Sequence, residues 1–186
     1  MTDPAPHRSG GDSRDAELIE RWKAGDQRAA AELVDRHASA LARFAASCGA
    51  REDIEELVQD TFVRAFASLG SFRGDSSLRT WLFTIQRRLL LDRRRSARKR
   101  RGDVQIQEDD VATEYTALDG VVADETERML VKAMGRLSPM QREVFTLRVT
   151  EGMSYRDIAD VLGSTEGAAR VHYHNALRAV KELLDE

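Results

Sequence analysis

Residues 138–180 read SPMQREVFTLRVTEGMSYRDIADVLGSTEGAARVHYHNALRAV, and this stretch decides the fold. Ser138, followed by Pro, has the features of a helix N-cap, and Ser154 opens a capping box for a second, shorter helix. Glycine and small polar residues at 163–165 then turn the chain into a last helix. A short helix, a glycine-containing turn and a second helix in this order predict a helix-turn-helix.

The last helix has one apolar side and one basic side. Its inner side carries Ala169, Tyr173, Ala176 and Val180. Its outer side carries Arg170, Val171, His174, Asn175 and Arg178. Between Gly167 and Arg178 there is no Asp or Glu, so this outer face suits a phosphate-lined groove. An ordinary solvated helix face is the alternative, because such patterns are common.

Upstream of this stretch, apolar residues recur at helical spacing in five further segments. We expect the first helix to begin at Asp15 as its N-cap, and Asp26 to cap the second. The apolar stripe of the second helix includes His37 and Cys48, which we interpret as core residues. The third segment, 54–69, follows the helical period throughout.

A fourth helix starts near Leu78 and runs into a cluster of arginines at 87–101, after which the sign of the charge reverses. The net charge is only −3, but nine Lys and Arg lie in 87–101 and six Asp and Glu lie in 102–123. Such segregation indicates a local nucleic-acid surface despite the low net charge. A fifth helix begins near residue 124.

These patterns predict an all-α protein of two small helical domains with separate cores, joined by a flexible acidic linker. The boundaries that we predict are a disordered tail at 1–13, a first domain at 14–101, the linker at 102–123 and a second domain at 124–186.

Composition excludes several classes of protein. Cys48 is the only cysteine, so the chain forms no internal disulfide and no four-cysteine zinc site.

Two pairs of residues resemble metal or catalytic sites only superficially. His172 and His174 point to different sides of a helix, and Asp109 and Asp110 lie in the linker, so neither pair predicts such a site. With no nucleophile-base pair and no phosphate-binding glycine loop, we expect no enzyme, no cofactor and no metal. No apolar run approaches membrane-spanning length, so we expect a cytoplasmic protein without a membrane segment.

Four blocks in order resemble one known family, the extracytoplasmic-function (ECF) sigma factors of RNA polymerase. The blocks are DAELIERWKAGDQRAAAELVDRH, DIEELVQDTFVRAF, SFRGDSSLRTWLFTI with the basic helix after it, and LSPMQREVFTLRVTEGMSYRDIADVLGSTEGAARVHYHNALRAVKELL. The resemblance implies an alternative sigma factor that binds core RNA polymerase and recognises minus-ten and minus-35 promoter elements. It assigns 14–101 to sigma region 2 and 124–186 to sigma region 4.

The DIEELVQDTF helix is similar to the segment by which the family grips the clamp coiled coil of the polymerase's largest subunit. The implied contacts on its polar face are Asp53, Glu56, Gln59 and Asp60. An acidic helix face offers carboxylates to arginines of a partner helix, so the charge agrees with this role.

The loop and helix at 71–101 resemble the part of the family that reads the melted minus-ten element. Capture of single-stranded DNA requires cationic walls and pockets for unstacked bases. The candidate contacts are Phe72, Arg73, Asp75, Ser76, Arg79, Trp81 and Arg88. Phe72 and Trp81 are alternatively helix-packing residues, and Arg88 stands where family members often have Asn.

The last helix is similar to the one that docks at the minus-35 element. Arg170 suits a guanine edge, Val171 a thymine methyl, and His174 or Asn175 another base edge. Arg178 and Arg148 are candidates for phosphate contacts. Family members often carry Ser and Arg where Val171 and Asn175 stand.

The implied partners are core RNA polymerase, promoter DNA and an anti-sigma factor that holds the protein inactive, and the free chain is expected to be a monomer. The alternative is a conventional helix-turn-helix regulator that binds duplex DNA as a dimer. That alternative requires a dimerisation surface, and the sequence offers no coiled-coil heptads.

Overall fold

The computed structural model describes residues 10–50, 53–101 and 125–184, with the side chains at 10–12, 101, 125–128, 130–131 and 183–184 excepted. Within these ranges the regular elements are helices, which confirms the all-α class. The predicted linker lies outside the described residues, as do residues 1–9 of the predicted tail. The helices are α1 (Gly10–Lys23), α2 (Gln27–Ser47), α3 (Ile54–Ser68), α4 (Leu78–Arg101), α5 (Glu125–Arg136), α6 (Pro139–Phe145), α7 (Tyr155–Leu162) and α8 (Glu166–Leu184).

Helix α1 begins at Gly10, five residues before the predicted N-cap at Asp15, so the end of the predicted disordered tail is helical. Asp15 does not cap, because its side chain turns inward to Arg36 Nε at 2.8 Å and His37 Nε2 at 3.0 Å. Arg14 holds the preceding turn by binding Glu32 of α2 at 2.7 Å.

The buried Asp15 carboxylate ties α1 to α2. Burial alone would raise its pKa, but the hydrogen bonds and charges of His37 and Arg36 outweigh that effect and hold the pKa below its usual value. The carboxylate is therefore ionised near neutral pH. The stability that it contributes is fully present above the ordinary pKa of an aspartate and is lost as the pH falls from there through the lowered pKa.

The first domain, α1–α4, packs around Phe44 and Phe83, whose rings meet edge to face with centroids 5.3 Å apart. Asp26 caps α2 by accepting from Arg28 N, as predicted. His37 and Cys48 are both buried, which confirms their interpretation as core residues.

The second domain, α5–α8, contains the predicted helix-turn-helix. Ser138 caps α6 as predicted and forms a capping box with Gln141. Ser154 caps α7 by accepting from Asp157 N. Gly163 ends α7 in the left-handed conformation with φ 62°, which glycine adopts without strain. Between α6 and α7 the chain forms a π-helical turn at Thr146–Thr150.

Arg142 is a structural residue at the centre of the second domain. Its side chain is almost fully buried and donates to carbonyls at the end of α5, with distances of 2.9 Å to Met134 O and 3.1 Å to Leu137 O. It thus adds donors at the C-terminal end of the helix, where few backbone N–H groups remain to bind the carbonyls. The charge of Arg142 therefore stabilises the packing of α6 against α5, and its side chain is too deeply buried to contact DNA.

The larger apolar core crosses from one domain to the other, in contrast to the two separate cores that the sequence predicts. Residues of α2, α3 and α4 form one cluster with Val144, Leu147, Met153, Ile158 and Ala169. A smaller cluster remains within the second domain, around Leu137, Phe145 and Val180. The difference arises because α4 packs along α7, a contact that no periodicity within one helix reveals.

Gln86 of α4 is fully buried, and neither its amide nitrogen nor its amide oxygen has a hydrogen-bond partner among the described residues. An unpaired buried amide costs about 1–3 kcal/mol. We therefore expect Gln86→Met, which keeps the side chain's shape, to raise the free energy of unfolding by about 1 kcal/mol in urea denaturation. Gln27→Met, at an exposed position, should change it by less than about 0.5 kcal/mol. Destabilisation by Gln86→Met would contradict the expectation.

Candidate polymerase and nucleic-acid interfaces

The polar face of α3 presents the four predicted polymerase contacts on the outside of the first domain. Asp53, Glu56 and Gln59 are exposed and Asp60 is half-buried. Arg93 of α4 reaches this face, with its Nη2 atom 2.7 Å from Asp60 Oδ2 and 3.1 Å from Glu56 Oε1. Both carboxylates are therefore already oriented by a guanidinium in the free chain.

Val63 continues the same face one turn further along α3, with 67% of the residue exposed. Positions 56, 59, 60 and 63 share one side of a helix. An exposed apolar side chain with polar residues around it fits a protein interface, in which an apolar centre is surrounded by a polar rim. The sequence analysis did not identify Val63. The signal was present in the sequence, because Val63 is an apolar residue that does not belong to the apolar stripe of the helix.

The loop before α4 and the first turns of α4 form an open cleft of about 320 Å³. It brings together most of the predicted minus-ten contacts, and it is lined by Ser71, Phe72, Arg73, Gly74, Asp75, Ser76 and Trp81. The rings of Phe72 and Trp81 lie 5.0 Å apart between centroids and are inclined by 42°. The two aromatic residues thus pack on each other and also line the cleft.

The two predicted arginines of α4 lie on opposite sides of the helix. Arg88 follows Trp81 by seven residues, about two turns, so it shares the cleft side, and it is exposed. Arg79 precedes Arg88 by nine residues, about two and a half turns, and faces the second domain. The structure therefore does not bring Arg79 and Arg88 together.

Arg79 binds Glu151, which lies just after the π-helical turn of the second domain. Its Nη2 atom contacts Glu151 Oε2, and its Nη1 atom donates to the Glu151 carbonyl at 2.7 Å. Arg43 of α2 donates from Nε to Glu151 Oε1 at 3.1 Å. The Glu151 side chain is fully buried between these two arginines of the first domain.

Glu143 of α6 makes a second contact of the same kind. Arg87 Nε donates to Glu143 Oε2 at 2.8 Å, and Arg94 Nη1 lies 3.8 Å from Glu143 Oε1. Thr80 adds a hydrogen bond to Asp157 of α7 at 3.2 Å. Acidic side chains of the second domain thus occupy the side of α4 that faces them, and sequence reasoning gave no indication of this pairing.

Cys48 lies beside this interface. Its carbonyl accepts from Arg94, and its thiol is buried. Burial, with a smaller contribution from the charge of Glu143, raises the pKa of the thiol far above its usual value. The thiol is therefore protonated and unreactive while the interface is closed.

The outward face of α8 presents the predicted minus-35 contacts on one surface. Val171, His174 and Arg178 are exposed, and Arg170 and Asn175 are half-buried. The side chain of Val171 is among the most accessible apolar ones of the described chain, with 58% of the residue exposed. The inner residues Ala169, Ala176 and Val180 are buried, as predicted.

Arg148 and Arg170 meet at one aromatic ring. The guanidinium carbon of Arg148 lies 4.6 Å from the centroid of the Tyr155 ring, and that of Arg170 lies 4.5 Å from the same centroid. Arg148 Nη1 also donates to Met153 O at 2.7 Å, and Arg170 pairs with Glu166 one turn before it. Tyr155 was not among the predicted site residues, and the structure places it at the start of α7 with only 7% of the residue exposed.

The described part of the chain contains neither of two other kinds of feature. No three His, Cys, Asp or Glu residues there are grouped closely enough to hold a metal ion. No helix there is long and apolar enough to cross a bilayer.

Comparison with known families gives two matches in chain order. Residues 33–100 match the family described as Sigma-70 region 2, and residues 127–180 match Sigma-70, region 4. The ECF RNA polymerase sigma factor BldN of Streptomyces coelicolor is 33% identical over 178 residues, which cover 94% of this chain and 67% of that protein. The RNA polymerase sigma factor CnrH of Cupriavidus metallidurans is 35% identical over 178 residues, which cover 90% of this chain and 93% of that protein.

Solved structures agree with these matches. CnrH in complex with the cytosolic domain of CnrY superposes with a TM-score of 0.68 at 32% identity, covering 92% of this chain and 97% of that chain. The sigma factor RpoE of Bartonella quintana, in complex with the anti-sigma factor NepR, gives a TM-score of 0.65 at 31% identity, covering 83% of this chain and 95% of that chain.

Proposed function

Because the chain belongs to the sigma-70 family, as an ECF RNA polymerase sigma factor, we propose that it recruits core polymerase through α3 and reads promoters through α4 and α8. One observation supports the assignment of promoter reading to two separate helices. The chain has two different DNA-suited surfaces, an aromatic-lined cleft at the start of a basic helix and a helix-turn-helix with an acid-free outer face. A duplex-binding regulator needs only the second of these surfaces.

The cleft before α4 is the proposed site for an unstacked base of the minus-ten strand. Phe72 and Trp81 offer ring faces for stacking, Asp75 and Ser76 offer polar groups for base edges, and Arg73 faces the same space. Arg88, on the same side of α4, extends the surface toward the strand's phosphates. Arg79 lies on the opposite side of α4, where Glu151 binds its guanidinium, so it can contact the DNA strand only after the second domain has moved away.

The α3 face is the proposed polymerase contact, formed by Asp53, Glu56, Gln59 and Asp60, and we add Val63 to it. Its carboxylates suit arginines of a helical partner, and Arg93 holds two of them in place. Preorganised side chains lose less conformational entropy on binding.

Helix α8 is the proposed reader of the minus-35 element, with Arg170 on a base edge and Arg178 on phosphate. We expect Arg170→Ala to lower the preference for the intact minus-35 element over a scrambled one by about tenfold, since a bidentate contact to guanine is worth about 1–3 kcal/mol. Arg178→Ala is the matched control, and it should weaken binding to both promoters equally and reduce the salt dependence. The measurement is holoenzyme binding to the two promoters at several salt concentrations. An unchanged preference in Arg170→Ala would refute the base-reading role.

Several finer features complete the proposal. The protein acts in the cytoplasm as a binding protein and not as an enzyme, with sigma region 2 at 14–101, the acidic linker at 102–123 and sigma region 4 at 124–186. An anti-sigma factor holds it inactive, a proposal supported by the similar RpoE, whose solved complex contains the anti-sigma factor NepR.

In vitro transcription tests the function as a whole. Core polymerase and genomic DNA are combined with and without this protein, and start sites are read by sequencing. New starts that share two upstream elements are expected. If no new starts appear and the protein alone binds duplex DNA, it is a conventional helix-turn-helix regulator.

A further inference from the structure

Tyr155 holds two arginines from different elements at one place on the second domain's surface. Arg148 comes from the π-helical turn and Arg170 from the second turn of α8, and both guanidinium carbons lie within 4.6 Å of the ring centroid. At this distance a cation is attracted by the negative face of an aromatic ring. Two separate segments of the chain thus meet at one side chain of a third.

The ring itself is fixed on several sides. Tyr155 is the first residue of α7, directly after the Ser154 cap, and is 7% exposed. Its ring meets that of Tyr173 of α8 at 5.9 Å and 64°, and Tyr173 in turn stacks on Phe145 at 6.4 Å. The ring is therefore a rigid support. Glu166, which also pairs with Arg170, is not, because its side chain is 47% exposed and solvent screens the ion pair.

A rigid support matters because an arginine side chain has many conformations. Restricting it costs up to about 2 kcal/mol when it binds a ligand, and a ring that restricts it beforehand removes part of that cost. The two arginines held here are those proposed to contact a base edge and a phosphate, which lie close together at a groove wall.

We propose that Tyr155 is a positioning residue for minus-35 recognition, whose ring face holds Arg170 for base reading and Arg148 for phosphate binding. This inference rests on the proposed role of α8. It predicts that the electron density of the ring face, and not only the ring's shape, sets promoter discrimination.

The test replaces Tyr155 with Phe and then with phenylalanines carrying increasing numbers of fluorine atoms, introduced by nonsense suppression. Fluorine withdraws electrons from the ring face with little change in shape, so packing is retained while the attraction for cations falls. Holoenzyme binding is measured on a promoter with an intact minus-35 element and on one with a scrambled element. Tyr155→Phe should keep the ratio within about twofold, and the ratio should fall stepwise by about fivefold along the fluorinated series.

Two controls separate the possible failures. In an Arg170→Ala background the fluorinated series should be flat, because the cation that reads the base is gone. A flat series with Arg170 present would overturn the positioning role while leaving α8 as the minus-35 reader. Absence of any minus-35 preference in the unaltered protein would instead overturn the proposed role of α8, and the positioning role with it.

Discussion

Reversing two charges on α3, Glu56→Arg together with Asp60→Arg, should abolish co-purification with core RNA polymerase. Each carboxylate is a proposed partner for a polymerase arginine, and the loss of one hydrogen-bonded charge pair costs about 2–5 kcal/mol. Reversing two should weaken binding about a thousandfold or more, because repulsion is added to the loss. The measurement is pull-down with purified core enzyme, followed by a binding titration.

The reversal also places new positive charges beside Arg93, which now binds both carboxylates. A milder pair, Glu56→Gln with Asp60→Asn, keeps acceptors for Arg93 and should give an intermediate loss of affinity. Asp160→Arg with Glu182→Arg changes the net charge equally at exposed positions of the second domain. Normal polymerase binding by the α3 reversal, with circular dichroism unchanged, would remove α3 from the interface.

Glu151→Gln should loosen the contact between the two domains. The Glu151 side chain is fully buried and binds Arg43 and Arg79 of the first domain, so the neutral amide leaves two guanidinium groups without their carboxylate. Both arginine side chains are more than a third exposed, so we discount the usual cost of breaking a buried pair to about 2 kcal/mol. The open fraction should then rise about thirtyfold.

Cys48, the only cysteine, is a natural reporter of this opening because its buried thiol lies next to the interface. Its labelling rate with a thiol reagent should rise in Glu151→Gln by up to about thirtyfold, and small-angle scattering should show a larger radius of gyration. Glu182→Gln, at an exposed position of α8, should change neither quantity. If Glu151→Gln leaves both unchanged, the remaining contacts, which are the Arg87–Glu143 ion pair and the packing of α4 on α7, are enough to hold the domains together.

Opening has a functional consequence for α4. In the closed arrangement Arg79 and Arg87 are bound by Glu151 and Glu143, so one side of the basic helix is already neutralised by the protein's own acids. The cleft side, with Trp81 and Arg88, remains accessible. The proposed promoter reading would therefore use both sides of α4 only when the second domain has separated from the first.

Local chemistry determined most of the fold. Helix α4 begins at Leu78, α6 begins after the Ser138 cap, and α7 ends at Gly163, all as predicted, because caps and glycines act within one turn of chain. The start of α1 was misplaced for the opposite reason. Whether Asp15 caps a helix or turns inward depends on Arg36 and His37, which are 21 and 22 residues away in the sequence.

The sequence by itself determined the helices, the helix-turn-helix and which side of each helix is polar, since these follow from periodicity and from neighbours in the chain. Only the tertiary structure decided what the polar side chains do. It paired Arg79 with Glu151, gathered Phe72 and Trp81 into one cleft, and brought Arg148 and Arg170 to the ring of Tyr155. Periodicity assigns a charge to a face, but its partner is fixed by the packing of helices that lie far apart in the sequence, as α4 and α7 do.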